Sequence, residues 1–447
     1  MMEITVLVIF VLALFLCIGL DLSIVYALLF GFWVFFAYGI YKKHTVREMF
    51  TLAFSGIKTV KNILITFVLI GILTALWRAG GTIPYIVFHS TKICAPQIMV
   101  LITFLLCCMI SFLTGTAMGT AATMGVICVA MAQSMGVPLF FTGGAVLAGS
   151  YFGDRCSAMS TSALLVSSLT KTEIYRNLIN MVKTAAVPFA AACILYTIVG
   201  SGIEVHGDNS GIQQIFEKYF VLHPAAVIPA VVILLLSVLR VNVRIAMSIS
   251  VLCSVAVCVL IQKIAPAELV RMALYGYQPQ PSELAEIMSG GGVLSMIKVV
   301  LIVCISSCYA GMFNGTGLLD GIKSKLEQIS QKATPFGTIL LTSIITGMIS
   351  CNQTLTIMLT HQLCADVEKD PEKMAVNLEN TAVVIAPLIP WSIAGAVVLA
   401  AVEAPMACIL TAWYLYFIPL WNLGTAVWKK NRDRKDSSVK KIPYIPK

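Results

Sequence analysis

Residues 143–170, GGAVLAGSYFGDRCSAMSTSALLVSSLT, begin apolar enough to enter a bilayer and then set an acid beside a base, Asp154 and Arg155. Hydroxyls follow at Ser157, Ser160, Thr161, Ser162, Ser167, Ser168 and Thr170. An ionised side chain at membrane depth costs about 3 kcal/mol on insertion scales, so an intramembrane Asp-Arg pair marks a functional site by default. Glycines at 143, 144, 149 and 153 are expected to weaken the helix just before the charge. Non-helical backbone at that depth survives only where protein buries it or a wet cavity borders it. The stretch therefore reads as a broken helix lining a polar site.

The rest of the chain supports a membrane setting. Of 447 residues, 59% are hydrophobic and 11% charged, and the mean hydropathy is +0.92. A soluble chain of this length needs more charge to cover its surface. Helical spans are expected near 4–20, 22–40, 62–77, 97–114, 119–135, 139–153, 157–170, 178–203, 223–239, 245–263, 293–313, 335–350, 353–365, 377–400 and 405–428. Several are too short to cross alone and must be half-helices or arms of re-entrant hairpins. The first run lacks a basic leader and a small-residue cleavage site, so it reads as a membrane helix and not a signal peptide.

Charge sets the orientation. Lys42, Lys43, Arg47, Lys58 and Lys61 mark one cytoplasmic segment; Arg240 with Arg244, and Lys323, Lys325 and Lys332, mark others. So does the tail, with Lys429, Lys430, Arg432, Arg434, Lys435, Lys440, Lys441 and Lys447. Glu204, Asp208 and Glu217 against Lys218 fit the outside. Both termini then face the cytoplasm, in a multi-pass protein of the cell membrane. The net charge of +9 is a membrane-orienting pattern and points to no nucleic acid. The 14 cysteines are scattered through apolar runs and read as small buried hydrophobes, giving neither a disulfide framework nor a zinc site.

With these orientations the helices at 62–77 and 293–313 run in opposite directions, yet the sequences after them echo each other. Trp77-Arg78-Ala79-Gly80-Gly81 parallels Phe313-Asn314-Gly315-Thr316-Gly317, and Thr114-Gly115-Thr116 through Thr120 parallels Ser350-Cys351-Asn352 through Thr356 at the same offset. Ser157-Ala158-Met159-Ser160 parallels Ala386-Pro387-Leu388-Ile389 after a small deletion. Two halves of opposite orientation are the inverted repeat of secondary transporters, with the substrate site where broken helices meet. The expected architecture is all-α and polytopic, with broken helices and re-entrant hairpins. It comprises a first repeat over 1–204, an extracytoplasmic connection over 205–222, a second, inverted repeat over 223–428 and a basic cytoplasmic tail over 429–447.

The candidate site collects the polar residues of these breaks. Thr116 and Thr120 offer hydroxyls, and Asn352, Gln353 and Thr354 add amide and hydroxyl oxygens, hard ligands suited to a small cation. The alternative for Gly119 and Gly125 is close helix packing. Glu379 and Asn380 open the 377–400 segment, where Glu379 serves either as a functional acid or as a cap of a helix N-terminus. His361 is the one histidine inside an apolar segment, either a satisfied buried side chain or a proton relay. Pro387, Pro390 and Trp391 break the helix of the second half.

At these residues the chain resembles the NhaC-type sodium/proton antiporter family. The matching text is Gly149-Ser150-Tyr151-Phe152-Gly153-Asp154-Arg155 with Ser157, and Leu378-Glu379-Asn380 with Ala386-Pro387-Leu388-Ile389-Pro390-Trp391-Ser392. Where the family pattern carries aspartates this chain has Thr161, Asn352 and Asn380, while Asp154 and Glu379 are kept. The resemblance implies a secondary transporter, with sodium/proton antiport by alternating access as the leading expectation. An exchanger of an organic acid, amino acid or amine is the alternative, because three fewer acids make a less cationic pocket. Asp154 and Glu379 are then the titratable groups, lined by Thr116, Thr120, Ser157, Ser160, Thr161, Asn352, Gln353, Thr354, Asn380, Trp391 and Ser392. Asp154, Thr120 and Asn352 are the first candidates for holding Na+. Arg155 either neutralises Asp154 or receives an anionic group of the cargo. An intramembrane hydrolase is the remote alternative, since there is no HExxH and no serine at recognisable spacing from a histidine. No ATP-binding loop or cofactor motif is present, so no cofactor is expected beyond Na+ as transported or coupling ion. The partners implied are the bilayer and a small cation or organic solute, with a homodimer left open.

Overall fold

The computed structural model describes residues 2–20, 22–90, 94–203, 209–239, 241–316 and 334–439. The expectations resting on Glu204, Asp208, Arg240, Gly317, Lys323, Lys325, Lys332, Lys440, Lys441 and Lys447 lie outside the described residues. Among those described, every regular element is helical, and the only β pairing is an isolated bridge between Tyr277 and Gly290. Among the described residues, five helices are long and apolar enough to cross a bilayer, or up to eight if each of three bent pairs is one span. The chain is an all-α polytopic membrane protein.

Most expected spans are found within a few residues. Helices absent from the hydropathy reading are short or amphipathic. Val46–Thr59, in a stretch read as a basic loop, starts with a capping box in which Thr45 and Glu48 exchange side-chain and backbone bonds. Thr82–Ser90, Pro266–Tyr275 and Ser282–Met288 are others. Asn209–Tyr219 occupies much of the expected connection at 205–222.

Two helix–turn–helix units share one turn. Met99–Thr114 ends at Gly115, in the left-handed region at φ 66°, and Thr116 then caps a new helix. Pro335–Ser350 ends at Cys351, also left-handed at φ 54°, and Asn352 then caps Gln353–Cys364. The bonding is matched residue for residue. Gly115 N–H donates to Ser111 O (2.7 Å) and Cys351 N–H to Gly347 O (3.2 Å). Thr120 Oγ1 donates to Thr116 O (2.9 Å) and Thr356 Oγ1 to Asn352 O (2.8 Å). In the second unit Ser350 meets Thr356 (2.7 Å) and Thr346 meets Thr360 (2.8 Å) across the turn. Its arms are therefore antiparallel, which identifies 335–364 as a hairpin that folds back on itself.

The helix Leu139–Cys156 runs unbroken through Gly143, Gly144, Gly149 and Gly153, correcting the expectation that these glycines weaken it. They serve close packing instead. A Cβ on Gly149 would lie 2.7 Å from Phe104 O, and one on Gly153 would lie 1.9 Å from the Ser111 carbonyl carbon. The helix Met99–Thr114 thus presses backbone against backbone, as small residues allow in membranes. Ser111 Oγ donates to Ser150 O and accepts from Gly153 N–H (3.1 Å), pinning the two helices one residue before Asp154.

The break comes after the charge pair, over 157–160, and Ser160 caps Thr161–Thr170. Its counterpart is the bend of 61° between Pro371–Leu388 and Ile393–Ala401, the latter capped by Ser392. Ser160 N–H donates to Ser157 O (3.1 Å) and Ser392 N–H to Ile389 O (2.9 Å). The local geometry therefore pairs 157–160 with 389–392, three residues later than the motif comparison placed it.

Gly153→Ala is expected to destabilise the protein by about 3 kcal/mol, the upper range for overpacking, because backbone must move to admit the methyl. Gly424→Ala, at a helix position with nothing within 4 Å of the new Cβ, should leave stability unchanged or slightly raised. Thermal unfolding of the detergent-purified variants followed by size-exclusion chromatography checks the contrast.

Candidate functional site

Asp154 is placed by three elements at once. Its own helix ends two residues later, and the next helix starts at the Ser160 cap, so Ser160 and Ser162 curl back over the carboxylate. Ser160 Oγ donates to Oδ1 (3.3 Å) and Ser162 Oγ to Oδ2 (3.1 Å). From the second hairpin, Gln353 Nε2 donates to Oδ2 (2.8 Å) and also reaches Val383 O (3.3 Å). Every one of these donors is neutral. The carboxylate faces a cavity of about 220 Å³ lined also by Thr116, Tyr151, Thr161, Asn352, Gln353 and Thr354, with Ile63, Met118, Ile393, Val397 and Val398 as its apolar wall. A carboxylate among hydroxyl and amide groups is a hard ligand set. No group of three or more His, Cys, Asp or Glu side chains capable of holding a metal occurs among the described residues.

Arg155 does not pair with Asp154. Consecutive helix residues point about 100° apart, and the guanidinium extends the other way, into full burial. Asn380 Oδ1 accepts from both Nε (3.1 Å) and Nη2. Nη2 also reaches Met181 O (3.0 Å) and Thr184 Oγ1 (3.0 Å), and Nη1 lies 2.9 Å from Cys156 Sγ. The cation is thus held by neutral acceptors from two other helices. This corrects the expectation that it neutralises its neighbour.

Glu379 lies next to last in the helix Pro371–Asn380, so it is no N-terminal cap. That role falls to Asp370, whose carboxylate accepts from the Glu372 and Lys373 N–H groups (3.0 and 3.4 Å). These backbone bonds, that of Lys373 first, hold the exposed Asp370 carboxyl below its ordinary range. Glu379 itself is 1% exposed, and neither carboxylate oxygen has a hydrogen-bond partner.

The remaining candidates divide. Thr116 and Asn352 line the cavity, but each also caps its own helix; Asn352 Oδ1 accepts from Thr354 and Leu355 N–H. Thr120 is buried beside the cavity and spends its hydroxyl on Thr116 O, so of Asp154, Thr120 and Asn352 only the outer two share the cavity. Ser157 Oγ accepts from Met159 N–H, and Ser392 Oγ from Ala394 N–H. Trp391 donates to Met348 O (2.9 Å) and packs against Phe10, a core position. His361 is half-buried and lines neither this cavity nor the larger one below. The residues missed by sequence reasoning are Ser162, visible only as one of a run of hydroxyls, and Thr184, for which no sequence signal exists.

A second, open cavity of about 1190 Å³ carries Asn380 and Thr184 in its wall, the same two side chains that hold Arg155. Around them are Asn180, Asn377 and Asn422, with Lys183, Lys373, Lys429 and Lys430 outnumbering Glu368, Asp370 and Glu372. Two of those acids are engaged by bases, Glu372 by Arg176 (3.1 Å) and Asp370 by Lys373 (3.4 Å).

The family model described as "Na+/H+ antiporter family" matches residues 1–170 and 149–427. Among curated proteins, the malate-2H(+)/Na(+)-lactate antiporter of Bacillus subtilis is 25% identical over 389 residues, covering 83% of this chain and 82% of its own. The Na(+)/H(+) antiporter NhaC of the same organism is 24% identical over 388 residues, covering 84% and 86%. The arginine/ornithine antiporter ArcD of Halobacterium salinarum is 24% identical over 362 residues, covering 78% and 74%. With a membrane-spanning helical fold, paired helix breaks and two buried acids between them, the chain is a secondary transporter and belongs to the Na+/H+ antiporter family.

Proposed function

We propose that this protein exchanges sodium for protons by alternating access, with Asp154 as the cation ligand and Glu379 as the proton carrier. The observation that carries this reading is the Glu379 carboxyl, fully buried with no donor to either oxygen. A carboxylate charge at that depth with no hydrogen-bond donor is expensive. A proton or a cation removes the cost, and the two compete when the acids share one interior. Asp154 supplies the charge for a sodium ion, while Thr116, Thr161 and Thr354 offer neutral oxygens around the same cavity. Arg155, saturated by Asn380, Thr184 and Met181, stays in place as a fixed interior cation. The two halves, 1–204 and 223–428, are read as inverted repeats, and the basic face with Lys429 and Lys430 as cytoplasmic, in the cell membrane.

In proteoliposomes with an imposed pH gradient, Asp154→Asn is expected to abolish labelled sodium uptake, by about 100-fold or more, while the protein still elutes as a folded species. Glu379→Gln should keep sodium/sodium exchange but lose its response to the pH gradient. Full pH-driven uptake in Asp154→Asn would remove Asp154 from the mechanism.

A second reading, an organic acid or amino acid as cargo, is favoured by the open cavity. Its volume of about 1190 Å³ far exceeds what an ion needs, and its wall combines lysines with amides, groups that recognise carboxylates. The malate/lactate and arginine/ornithine exchangers named above fit the same class. Counterflow of labelled organic acids and amino acids is expected to show uptake above empty liposomes if this reading holds. Sodium-dependent pH change without any counterflow would leave antiport of inorganic ions alone.

A further inference from the structure

The site cavity has two helices in its wall that continue away from the lysine-rich vestibule. Thr116, Ala117 and Met118 border it at one end of Ala117–Ser134, and Val126, Val129 and Ala130 border a small space farther along. Ile393 to Val398 border it on the other helix, and Ala401, Val402 and Glu403 border the same small space. From Met118 to Val126 the distance along the first helix is about 12 Å, and from Val398 to Ala401 along the second about 5 Å. This far end lies opposite the vestibule. Glu403 precedes Met406–Thr411, which is bonded to Phe140 O, and the following helix carries the chain from Trp413 to Lys429 in the vestibule wall, about 24 Å away. The vestibule has a volume of about 1190 Å³, whereas the two spaces beside Arg78 at the far end hold about 10 Å³ each, room for about one water.

What closes the far end is an ion pair. Arg78 Nη2 donates to Glu403 Oε2 at 2.9 Å, joining the end of Lys61–Ala79 to the turn after Ile393–Ala401. A third segment completes it: Arg78 Nη1 donates to Ser289 O (2.7 Å), and Gly291 N–H donates to Glu403 Oε1 (2.9 Å). The fit is tight, since a Cβ on Gly290 would stand 2.9 Å from both charged groups. It is also under tension. Glu403 adopts a left-handed φ of 55°, which costs a side-chain-bearing residue energy, and Arg78 Nε is buried without a partner. The clasp is therefore specific in geometry and incomplete in bonding, the combination a reversible closure needs.

We propose that Arg78 and Glu403 are the gate on the face opposite the vestibule, and that parting them opens a path to Asp154 along Ala117–Ser134 and Ile393–Ala401. The proposal rests on the alternating-access reading but not on the identity of the cargo. A state open to one side is held by contacts that exist only in that state, and this pair is the charged contact spanning the closed side.

The test uses the full chain in proteoliposomes with an impermeant maleimide, scored peptide by peptide by mass spectrometry so that native cysteines do not interfere. Val129→Cys reports on the clasp side and Asn377→Cys on the vestibule. In the otherwise unaltered protein the vestibule reporter should react and the clasp reporter should not. Arg78→Gln or Glu403→Gln should raise labelling at position 129 by about tenfold and lower it at position 377, whereas Arg78→Lys, which keeps the charge, should leave both close to the unaltered protein. Unchanged labelling at 129 in both single variants overturns the gate, as does a rise at both reporters together, which signals loosening and not a change of state. If the single variants fail to fold, Glu403→Asp takes their place with the same criteria. Labelling at 129 in Arg78→Lys as high as in the glutamine variants would show that charge pairing does not hold the face closed, and overturns the gate. Sodium or organic-acid counterflow measured on the same vesicles separates a wrong gate from a wrong transporter reading.

Discussion

A hydrocarbon interior offers no water to a backbone group, so each interruption of a helix there must be answered by a partner within the protein. The site depends on how this chain answers four interruptions. Thr116, Ser160, Asn352 and Ser392 each turn a side-chain oxygen onto the first N–H groups of the following helix. Because the caps are hydroxyls and one amide, the helix starts are satisfied by neutral atoms. The two buried acids are left over for other chemistry. Had the caps been carboxylates, the helix starts would have consumed the charge that a cation needs.

The same economy governs Arg155. A buried guanidinium normally demands an acid; here its hydrogen bonds go to an asparagine carbonyl, a threonine hydroxyl and a backbone carbonyl. Asn380 is neutral, so it holds Arg155 through hydrogen bonds and not through a salt bridge. The hydrogen bonds of Arg155 thus leave Asp154 and Glu379 unused. On the cavity side Thr161 and Asn352 contribute neutral oxygens beside the Asp154 carboxylate.

Much of this was legible in the residues. Long apolar runs located the helices, and the Thr-Gly-Thr and Ser-Cys-Asn tripeptides located both hairpin tips, because a turn inside hydrocarbon needs small and polar residues together. Arg155 is adjacent to Asp154 in sequence but not in space, because a helix rotates each residue about 100° from the last. The glycines before Asp154 leave their helix unbroken. Glycine weakens an isolated helix but strengthens one pressed against a neighbour, and sequence alone does not show the neighbour. The helix start before Glu379 is marked in the sequence by Asp370-Pro371, an acid cap followed by proline at the first turn. Thr184 could not be found at all, since its role arises from a helix crossing.

The left-handed turn residues set the two hairpin tips apart mechanically. Gly115 adopts its φ freely, whereas Cys351 reaches nearly the same angle against the crowding of its own Cβ, roughly 1 kcal/mol uphill. Its sulfur is buried in a cluster with Ile349, Ile389 and Trp391, so packing holds the backbone where intrinsic preference would not. One tip rests in its conformation and the other is sprung. Both are packed, Gly115 against the backbone of Met159 and Ser160, but at the cysteine tip motion must also lift a side chain out of its packing. The two tips are thus alike in bonding and unlike in stored energy.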